Sequence, residues 1–596
     1  MSTQPPEGAG RPDEGPTQPS APSGWPQQPP QQGYPQQGYP QQPGYPQGPP
    51  PPWMGPGEYG QHPGQHPGQH PGQHPGQHPG QQAPRRRGRW IAGGVAGVLG
   101  LSLIGGGVWA WQAYFATGPQ AAEALPADTL FYVGLDLDPS GQQKLAALDF
   151  LEKFPAFDEE VGIDRDDDVR REIFDGIIGG SPCDDLDFDD DVAPWLGDRF
   201  GVAVVPASGD RPQVPELGGD VVVVVQVDDA DGAEAAMDDL ADCSGAGDEL
   251  GWAVDGGWMV VTDSDELAED VLTDAADDPL ASDDTYRQWV DAAGDAGILS
   301  AYAAPDSATR VVEALVDDGV IDAAYEDEAL DSAADFQGAA LTLRFADGGL
   351  ELEAATQATT DGDVPQLTDG TAGELAGDLP ADTAAVAAVG LADGWYDALL
   401  EQVEDSGVDR GEIDDAVADL EDETGWNLPE DVETLLGQGV ALSVGGGVDL
   451  DALEDGDIEG AEVGATVRSG DTDEIAGLVD ELLDSTDAPS DLDLNVTEGG
   501  DGTTVGSPSS GYADDLATSG GLGESDLFRD VVPETDDVHA LLFVDFTVDG
   551  GWLADLLRED GDDELADNVE PLAALGLSVR VDGDVAHTLL RVTTTD

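Results

Sequence analysis

The chain has 596 residues, of which 125 are Asp or Glu and only 21 are Lys or Arg, so its formal net charge is -104. This balance excludes a nucleic-acid-binding protein, because such proteins neutralise phosphates with clustered Lys and Arg. Two cysteines in this length exclude a disulfide-dense scaffold and a cysteine-rich zinc array. Along the chain, the composition changes twice and divides it into three parts.

Residues 1–84 are rich in Pro, Gln, Gly and His and nearly free of aliphatic side chains. Such a stretch cannot bury enough apolar surface to offset the entropy of ordering, so we predict a disordered cytoplasmic tail. Histidines recur every four residues from His62 to His78, which suggests metal binding. A proline in each Gln-His-Pro-Gly repeat precludes the helix that would align them, so we favour simple repeat expansion.

Residues 85–115 are predicted to be a basic flank and one transmembrane helix. The uncharged segment 91–111 would span about 30 Å as a helix, which is one hydrocarbon core, and would contact the lipid bilayer. Arginines within 85–89 precede it, so the positive-inside rule places the tail in the cytoplasm and the rest outside, anchored to the cell membrane by a single pass. A signal peptide cleaved at Ala122-Glu-Ala124 is the alternative, which the length of the segment disfavours.

Residues 116–596, which the positive-inside rule places outside the cytoplasm, hold nearly all the acidic charge, yet their pattern indicates a folded core. Apolar, β-branched or aromatic runs bounded by Gly, Asp and Pro predict strands. These runs are 130–137, 200–205, 221–227, 258–261, 339–345, 440–444, 540–546 and 575–581. Stretches at helical spacing lie between them, such as 233–240, 309–316 and 474–483. The acidic residues are therefore expected on the solvated surface of this core.

This acidic part also repeats itself, which is its most informative feature. Leu-Pro-Ala-Asp-Thr occurs at 125–129 and again at 379–383. Further matches keep the same order, namely Trp195-Leu-Gly197 with Leu435-Leu-Gly437, Asp284-Thr-Tyr-Arg287 with Asp526-Leu-Phe-Arg529, and Leu341-Thr-Leu-Arg344 with Leu577-Ser-Val-Arg580. We predict two homologous copies over 125–356 and 379–596, with linkers at 116–124 and 357–378.

The order of elements within each copy predicts the fold class. Each copy contains a strand, a helical stretch, two strands, a helix, a strand, a helix, a strand, a helix and a closing hairpin. The strands neither alternate strictly with helices nor form an all-strand run. We therefore predict an α+β fold made of two tandem mixed-sheet domains, in each of which the sheet is largely antiparallel or mixed and the chain is long enough for a full core.

The opening of the first copy resembles a known family. The basic flank, the apolar segment, the sequence LPADTLFYVGLDLD at 125–138, the sequence SGQQK at 140–144 and Phe154-Pro155 are similar to the family of unknown function numbered 3352. Its members occur in high-GC Gram-positive bacteria, and the resemblance covers residues 125–596. It implies a membrane-anchored extracytoplasmic protein. The family supplies no catalytic residues, so none is carried over.

Catalytic motifs are absent from the sequence, which contains no P-loop, G-x-S-x-G, H-E-x-x-H or C-x-x-C. The acidic part has only two histidines, His539 and His587, and a histidine beside a predicted strand is usually structural. We therefore predict a non-enzymatic binding or scaffold module of the cell envelope, without a cofactor, for an unknown envelope protein or ligand. The alternative is a hydrolase-like enzyme with an unrecognised site between the two copies. The oligomeric state does not follow from these residues.

Calcium is the metal to consider, because acidic oxygens are its ligands. Asp455, Asp457 and Glu459 stand at alternate positions before Gly460, but Thr466 occupies the place of the bidentate Glu of a calcium loop. We favour solvated acidic loops with weak, diffuse calcium binding over a specific site.

Arginines recur at equivalent places in the two copies. Arg287 corresponds to Arg529, and Arg344 corresponds to Arg580. These arginines could hold an anionic group or form internal ion pairs. We favour ion pairs, because acidic partners are abundant.

Cys183 and Cys243 are the only cysteines, and both follow the predicted membrane segment. Thiols are not kept reduced outside the cytoplasm, so we predict a disulfide within the first copy. Two buried, unpaired thiols are the alternative.

Overall fold

The computed structural model describes residues 120–595, except for 138–140, 161–167, 172–173, 175–182, 184–185, 208–216, 245–249, 318, 322–325, 347, 359–366, 369, 406–407, 409, 448–461, 470, 486–493 and 519. The predicted tail and the predicted segment 91–111 lie outside these residues. Within the described part, no helix is both long enough and apolar enough to cross a membrane. The transmembrane helix of the predicted fold class therefore has no counterpart among the described residues.

Sixteen strands of the described residues form one sheet, and every pairing between neighbours is antiparallel. The first half contributes β1 Phe131–Asp136, β2 Leu196–Pro206, β3 Gly219–Val227, β4 Gly251–Asp255, β5 Trp258–Thr262, β6 Leu299–Ala303, β7 Ala339–Ala346 and β8 Gly349–Gln357. The second half contributes β9 Ala385–Gly390, β10 Gly439–Val444, β11 Val463–Val467, β12 Asn495–Glu498, β13 Thr504–Ser507, β14 Val538–Asp545, β15 Leu572–Asp582 and β16 Val585–Thr594.

The strand order is β12-β13-β11-β10-β9-β14-β15-β16-β8-β7-β6-β1-β2-β3-β5-β4. Outward from the centre, the first half has β8, β7, β6, β1, β2, β3, β5 and β4. The second half has the equivalent series β16, β15, β14, β9, β10, β11, β13 and β12. The two halves are thus copies of one arrangement, related by an approximate two-fold operation at the pair β8–β16.

The sheet corrects the predicted fold class in two respects. Of the two predicted sheet types the structure has the antiparallel one, and the mixed sheet was wrong, because all strand pairs are antiparallel. The prediction of two separate tandem sheets was also wrong, because both halves share one sheet. The closing hairpin of each half leaves one strand with an unpaired edge, whose N–H and C=O groups need partners. β8 and β16 satisfy each other from Gly349–Thr593 to Gln357–Val585. Local composition carries no signal for this long-range pairing.

The helices of the first half are α1 Gly141–Leu151, α2 Pro155–Glu160, α3 Ala230–Ser244, α4 Asp265–Asp277, α5 Asp284–Ala292, α6 Pro305–Asp317 and α7 Glu326–Ala334. Those of the second half are α8 Thr371–Gly377, α9 Trp395–Asp405, α10 Arg410–Thr424, α11 Glu430–Leu436, α12 Thr472–Ser485, α13 Ser510–Thr518, α14 Asp526–Val531, α15 Trp552–Asp560 and α16 Asp563–Val569. Helix α8 falls in the predicted linker 357–378, yet it buries Leu375 in the core of the second half.

The repeated Leu-Pro-Ala-Asp-Thr segments adopt the same local structure. The Thr129 hydroxyl donates to the Pro126 carbonyl at 2.7 Å, and the Thr383 hydroxyl donates to the Pro380 carbonyl at 2.8 Å. Each turn then forms a single bridge to a later loop, at Pro279 in the first half and at Gly521 in the second. The duplication inferred from the sequence is therefore present in the structure.

Apolar cores lie on both faces of the sheet, as the period-two alternation of strands requires. Along β7, Ala340 belongs to a core of the first half, whereas Phe345 belongs to a core on the opposite face that both halves share. Helix α1 of the first half and helix α15 of the second half both contribute to this shared core, through residues such as Phe150 and Leu557. The two halves are therefore joined by a common sheet and by a common core.

Candidate functional sites at the joint and in the second half

The pair β8–β16, with β7 and β15 on either side, is here called the joint. Six charged or titratable side chains with exposed fractions of only 10–19 % lie on one face of it. This joint cluster consists of Arg344, Glu351, Glu353, Arg580, His587 and Arg591. Two of the four arginines singled out in the sequence, Arg344 and Arg580, thus meet here.

Arg344 is the best-connected member of the joint cluster. Its Nε donates to Glu351 Oε2 at 2.8 Å, its Nη2 donates to Glu353 Oε2, and its Nη1 donates to the Ala293 carbonyl at 3.2 Å. Burial alone would lower the pKa of Arg344, but the hydrogen bonds and negative charges of Glu353 and Glu351 outweigh it and raise that pKa. The guanidinium therefore stays charged and holds both carboxylates.

Across the joint, carboxylates from the first half face basic groups from the second. Arg591 Nε lies 3.0 Å from Glu351 Oε1, and Arg580 Nη2 lies 3.8 Å from Glu353 Oε1. His587 Nδ1 is also 3.8 Å from Glu353 Oε1. Together these contacts make an ion-pair network that crosses from one half to the other.

The network depends on a departure from the two-fold relation of the halves. In the hairpin of the first half Arg344 pairs with position 351, and in that of the second half Arg580 pairs with position 587. Positions 351 and 587 are therefore equivalent, and so are positions 353 and 589, two residues further along the chain. They face each other in the joint, and the residue at 589 is Leu. If both positions carried Glu, two carboxylates would meet at the centre of the joint, which is destabilising.

The geometry of the joint cluster is that of a closed structural network. Gly294 has φ +87, and a Cβ built there would lie 2.4 Å from Glu353 Oε2, so the loop after α5 covers the cluster closely. The carboxylates that an acid–base mechanism would need already accept hydrogen bonds from Arg344. The cluster can hold the two halves in register, and it leaves little room for a substrate.

The other two arginines of the sequence analysis lie on the surface in matching settings. Arg287 pairs with Asp284 at 2.6 Å, and Arg529 pairs with Asp526 at 3.1 Å, with side chains 53 % and 55 % exposed. Each also donates to a backbone carbonyl one turn earlier, that of Ser282 or Glu524. Both arginines therefore brace the start of a short helix.

The candidate calcium ligands Asp455, Asp457 and Glu459 lie outside the described residues. In the part of the chain that is described, no three His, Cys, Asp or Glu side chains are grouped so as to hold a metal ion. His539, the other histidine of the acidic part, is buried, and its Nδ1 lies 3.2 Å from the Asp537 carbonyl.

Cys183 and Cys243 form a disulfide in the structure, with their Cα atoms 5.2 Å apart. Cys243 belongs to the last turn of α3, so the bridge ties this helix to the chain before β2. The second half contains no cysteine, and its equivalent helix, α12, has no such tie.

An open apolar groove lies in the second half, between α12 and the strands β10, β11, β12 and β13. Its volume is about 450 Å³. It is lined by Leu435, Leu442, Ser443, Val444, Val463, Gly464, Ala465, Val467, Ile475, Val479, Leu494, Val496, Thr504, Gly506 and Pro508. We call this feature the apolar groove, and none of these lining residues is charged.

The equivalent place in the first half is filled by larger side chains of the chain itself. Val260 and Val505, both 0 % exposed, mark equivalent positions of β5 and β13. The residues that follow them are also equivalent. Val261 pairs with Trp252 on the neighbouring strand β4, and Gly506 pairs with Val496 on the neighbouring strand β12. Trp252 and Val261 pack on the core around Trp195 and Met259. Where the first half has Trp252 and Val261, the second half thus has Val496 and Gly506.

Two further replacements enlarge the apolar groove. Trp195 corresponds to Leu435 in the repeat, and Met259, one residue before Val260, corresponds to Thr504. A Cβ built at Gly506 would meet nothing closer than Val496 Cγ2 at 3.9 Å, so a larger side chain would fit at this position of the groove. The alignment of Trp195-Leu-Gly197 with Leu435-Leu-Gly437 was a sequence signal for this site, but the groove itself was not predicted.

Comparison with known proteins identifies the family. The model of the family described as Protein of unknown function (DUF3352) matches residues 92–250 and 242–445, more than half of the chain, so the chain belongs to this family. The resemblance inferred from the opening motif is thereby confirmed. No curated protein and no solved structure matches the chain.

Proposed function

We propose that this chain is a non-enzymatic, extracytoplasmic binding module of the cell envelope, in which the first half is structural and the second half holds the ligand. The disulfide Cys183–Cys243 supports a location outside the reducing cytosol. The acidic surface supports solubility and disfavours anionic partners.

The apolar groove is the observation that carries this proposal. Protein interiors are normally packed to high density, and ligand pockets are concave, mostly apolar spaces of roughly 300–1,000 Å³. The groove, at about 450 Å³, falls within that range. The same fold closes the equivalent space with Trp195 and Trp252 in the first half, so the opening is a property of this sequence and not of the fold.

An enzyme with a site between the two halves is the second candidate, because His587, Arg580 and Glu353 meet at the joint. A hydrolase would need an accessible nucleophile there. Ser578, on β15 beside Arg580, is 0 % exposed, and Glu353 is held by Arg344. These observations favour a structural role for the joint and support the binding proposal.

The test is a fluorescence titration of the full chain with N-phenyl-1-naphthylamine, an uncharged reporter of apolar sites. We expect saturable binding of one reporter per chain. The variant Gly506→Val gives the second half a side chain of the first half, and should weaken binding at least tenfold. The variant Leu435→Trp, which copies Trp195, should do the same.

Leu542→Trp is the matched control, because Leu542 is 37 % exposed on β14 and does not line the groove. It should leave reporter binding within about twofold of the parent chain. Equal binding by the parent and both filled variants would contradict the proposal. So would a lower melting temperature of Gly506→Val, because that result would mean that the space is already occupied. His587→Gln changes the joint and not the groove, so it should leave reporter binding unchanged.

A further inference from the structure

We propose that the apolar groove binds the aliphatic chain of an amphiphile whose head group carries no net negative charge. This inference rests on the proposed binding function and adds the class of ligand. It follows from the polarity, the dimensions and the charge of the groove, taken in turn.

The polarity of the lining excludes a ligand that needs hydrogen bonds inside the groove. Among the described lining residues, those with a hydroxyl group are Thr504 and Ser443. Thr504 Oγ1 is 2.8 Å from Thr472 Oγ1, and the Ser443 hydroxyl accepts from the Tyr512 hydroxyl at 3.0 Å. Both are thus engaged within the protein. Burying a polar ligand group here would cost free energy without a compensating bond.

The dimensions favour a thin, extended ligand. The groove crosses four neighbouring strands in the order β10, β11, β13 and β12, which corresponds to a length of roughly 14 Å at about 4.8 Å per strand. With a volume of about 450 Å³ it is narrow for that length. An α-helix with its side chains is about 10–12 Å across, so only one row of its side chains could enter the groove and the rest of the helix would stay outside.

A peptide strand is also disfavoured, because its backbone N–H and C=O groups would find no partners among the side chains of the lining. Strand addition would instead occur at an edge strand, which among the described strands is β12 or β4, and not in the groove. An aliphatic chain has the required width and needs no hydrogen bonds.

The charge around the groove selects the head group. Helix α12 forms one wall through Ile475 and Val479. It carries five acidic residues and no basic residue; the acidic residues are Asp473, Glu474, Asp480, Glu481 and Asp484. The whole chain has a formal net charge of -104. An anionic head group emerging from the groove would be repelled, whereas a neutral or cationic one would not.

The experiment uses two amphiphiles with the same chain, the uncharged 1-monolauroylglycerol and the anion laurate, each below its micellar concentration. Each competes with N-phenyl-1-naphthylamine on the full chain. We expect the monoacylglycerol to displace the reporter at least tenfold more effectively than laurate at low ionic strength. Added salt should narrow this ratio, because it screens surface charge. Leu542→Trp should reproduce both curves.

The outcomes separate the inference from the function on which it rests. Equal displacement by both amphiphiles at low salt would overturn the selection of the head group. Failure of both to displace a bound reporter would overturn the aliphatic chain as ligand. In each case the binding function would stand. Absence of reporter binding to the parent chain would instead defeat the proposed function itself.

Discussion

The two halves of this chain have the same strand order but treat one equivalent place in different ways. The first half packs Trp195 and Trp252 into it and ties the adjoining helix with the disulfide of Cys243. The second half leaves an open groove beside α12. The fold therefore does not dictate whether this place is packed or open, and a few side-chain sizes decide it.

A second difference lies in the buried charges. The first half pairs Asp136 of β1 with Arg199 of β2, and both are nearly fully buried. The equivalent residues of the second half are Gly390 and Gly439, which face each other without side chains. The first half thus has a disulfide and a buried ion pair for which the equivalent described positions of the second half have no counterpart, which fits a structural role. Sites that bind ligands commonly depart from ideal packing.

Removing an ion-pair partner at the joint should lower the free energy of unfolding of both halves more than any other change. In Arg344→Met, the buried Glu351 and Glu353 lose their main partner, and removing one member of a buried ion pair costs about 3–5 kcal/mol. Denaturant unfolding of the full chain measures this loss. Arg287→Met removes an exposed ion pair and should cost no more than about 1 kcal/mol. Equal effects of the two variants would contradict the structural role of the joint.

Removing the disulfide of the first half should cause the next largest loss of stability. Reduction of Cys183–Cys243 opens a loop with a sequence separation of 60 and should cost about 2–4 kcal/mol. The melting temperature of the full chain with and without reductant measures it. The double variant Cys183→Ser/Cys243→Ser should match the reduced parent and should not respond to reductant. A reductant-sensitive double variant would mean that the effect has another source.

A substitution can also create a groove in the first half at the place equivalent to the apolar groove. Trp195 is 7 % exposed, and its replacement by Leu, the residue at 435, should cost about 2–3 kcal/mol through lost packing. Trp195→Leu should also create a second binding site for N-phenyl-1-naphthylamine. A titration that still gives one site, in a variant that remains folded, would show that one tryptophan does not account for the difference between the halves.

The smallest expected effect concerns Asp378, which stands where the first half has the buried Ala124. Burial, followed by the charges of Asp501 and Glu374, raises the pKa of Asp378. A carboxyl whose pKa rises on folding stabilises the fold only while it is protonated, and this stability is lost as pH rises through the raised pKa. Asp378→Asn should therefore raise the melting temperature at pH 7 and leave it unchanged near about pH 3.

The exposed Asp480 of α12 provides the control for this pH dependence. Asp480→Asn removes one exposed carboxylate of the same charge and should change the melting temperature at pH 7 by less than Asp378→Asn does. A stabilisation by Asp378→Asn at the acidic pH alone would contradict the assigned direction of the pKa shift.

The sequence was informative wherever the signal was local or repeated. The eight apolar runs predicted eight of the sixteen strands, and the repeated Leu125 and Leu379 segments indicated two copies of one arrangement. The pairing of β8 with β16 could not be predicted, because it joins residues far apart in the chain and only the free edges of two finished hairpins require it. The prediction left antiparallel and mixed sheets open, because the order of elements alone does not fix strand direction.

The apolar groove was missed for a different reason. It consists of side chains that are smaller than expected, and a small residue such as Gly506 gives no positive signal in a single copy. Only comparison of the two copies reveals it, through pairs such as Trp195 with Leu435. The joint cluster could be predicted only in part. Arg344 and Arg580 recur at equivalent places of the repeat, whereas their shared partner Glu353 has no acidic counterpart in the second half.

A crystal structure of the full chain with a monoacylglycerol that carries a terminal bromine would test the central claim most directly. The anomalous signal of bromine locates the end of the aliphatic chain without ambiguity. We predict one bromine site per chain, between α12 and β12, near Ile475 and Val496, and none near Trp195 and Trp252. A bromine site in the first half only, or a groove closed by its own side chains with the ligand bound elsewhere, would contradict the account.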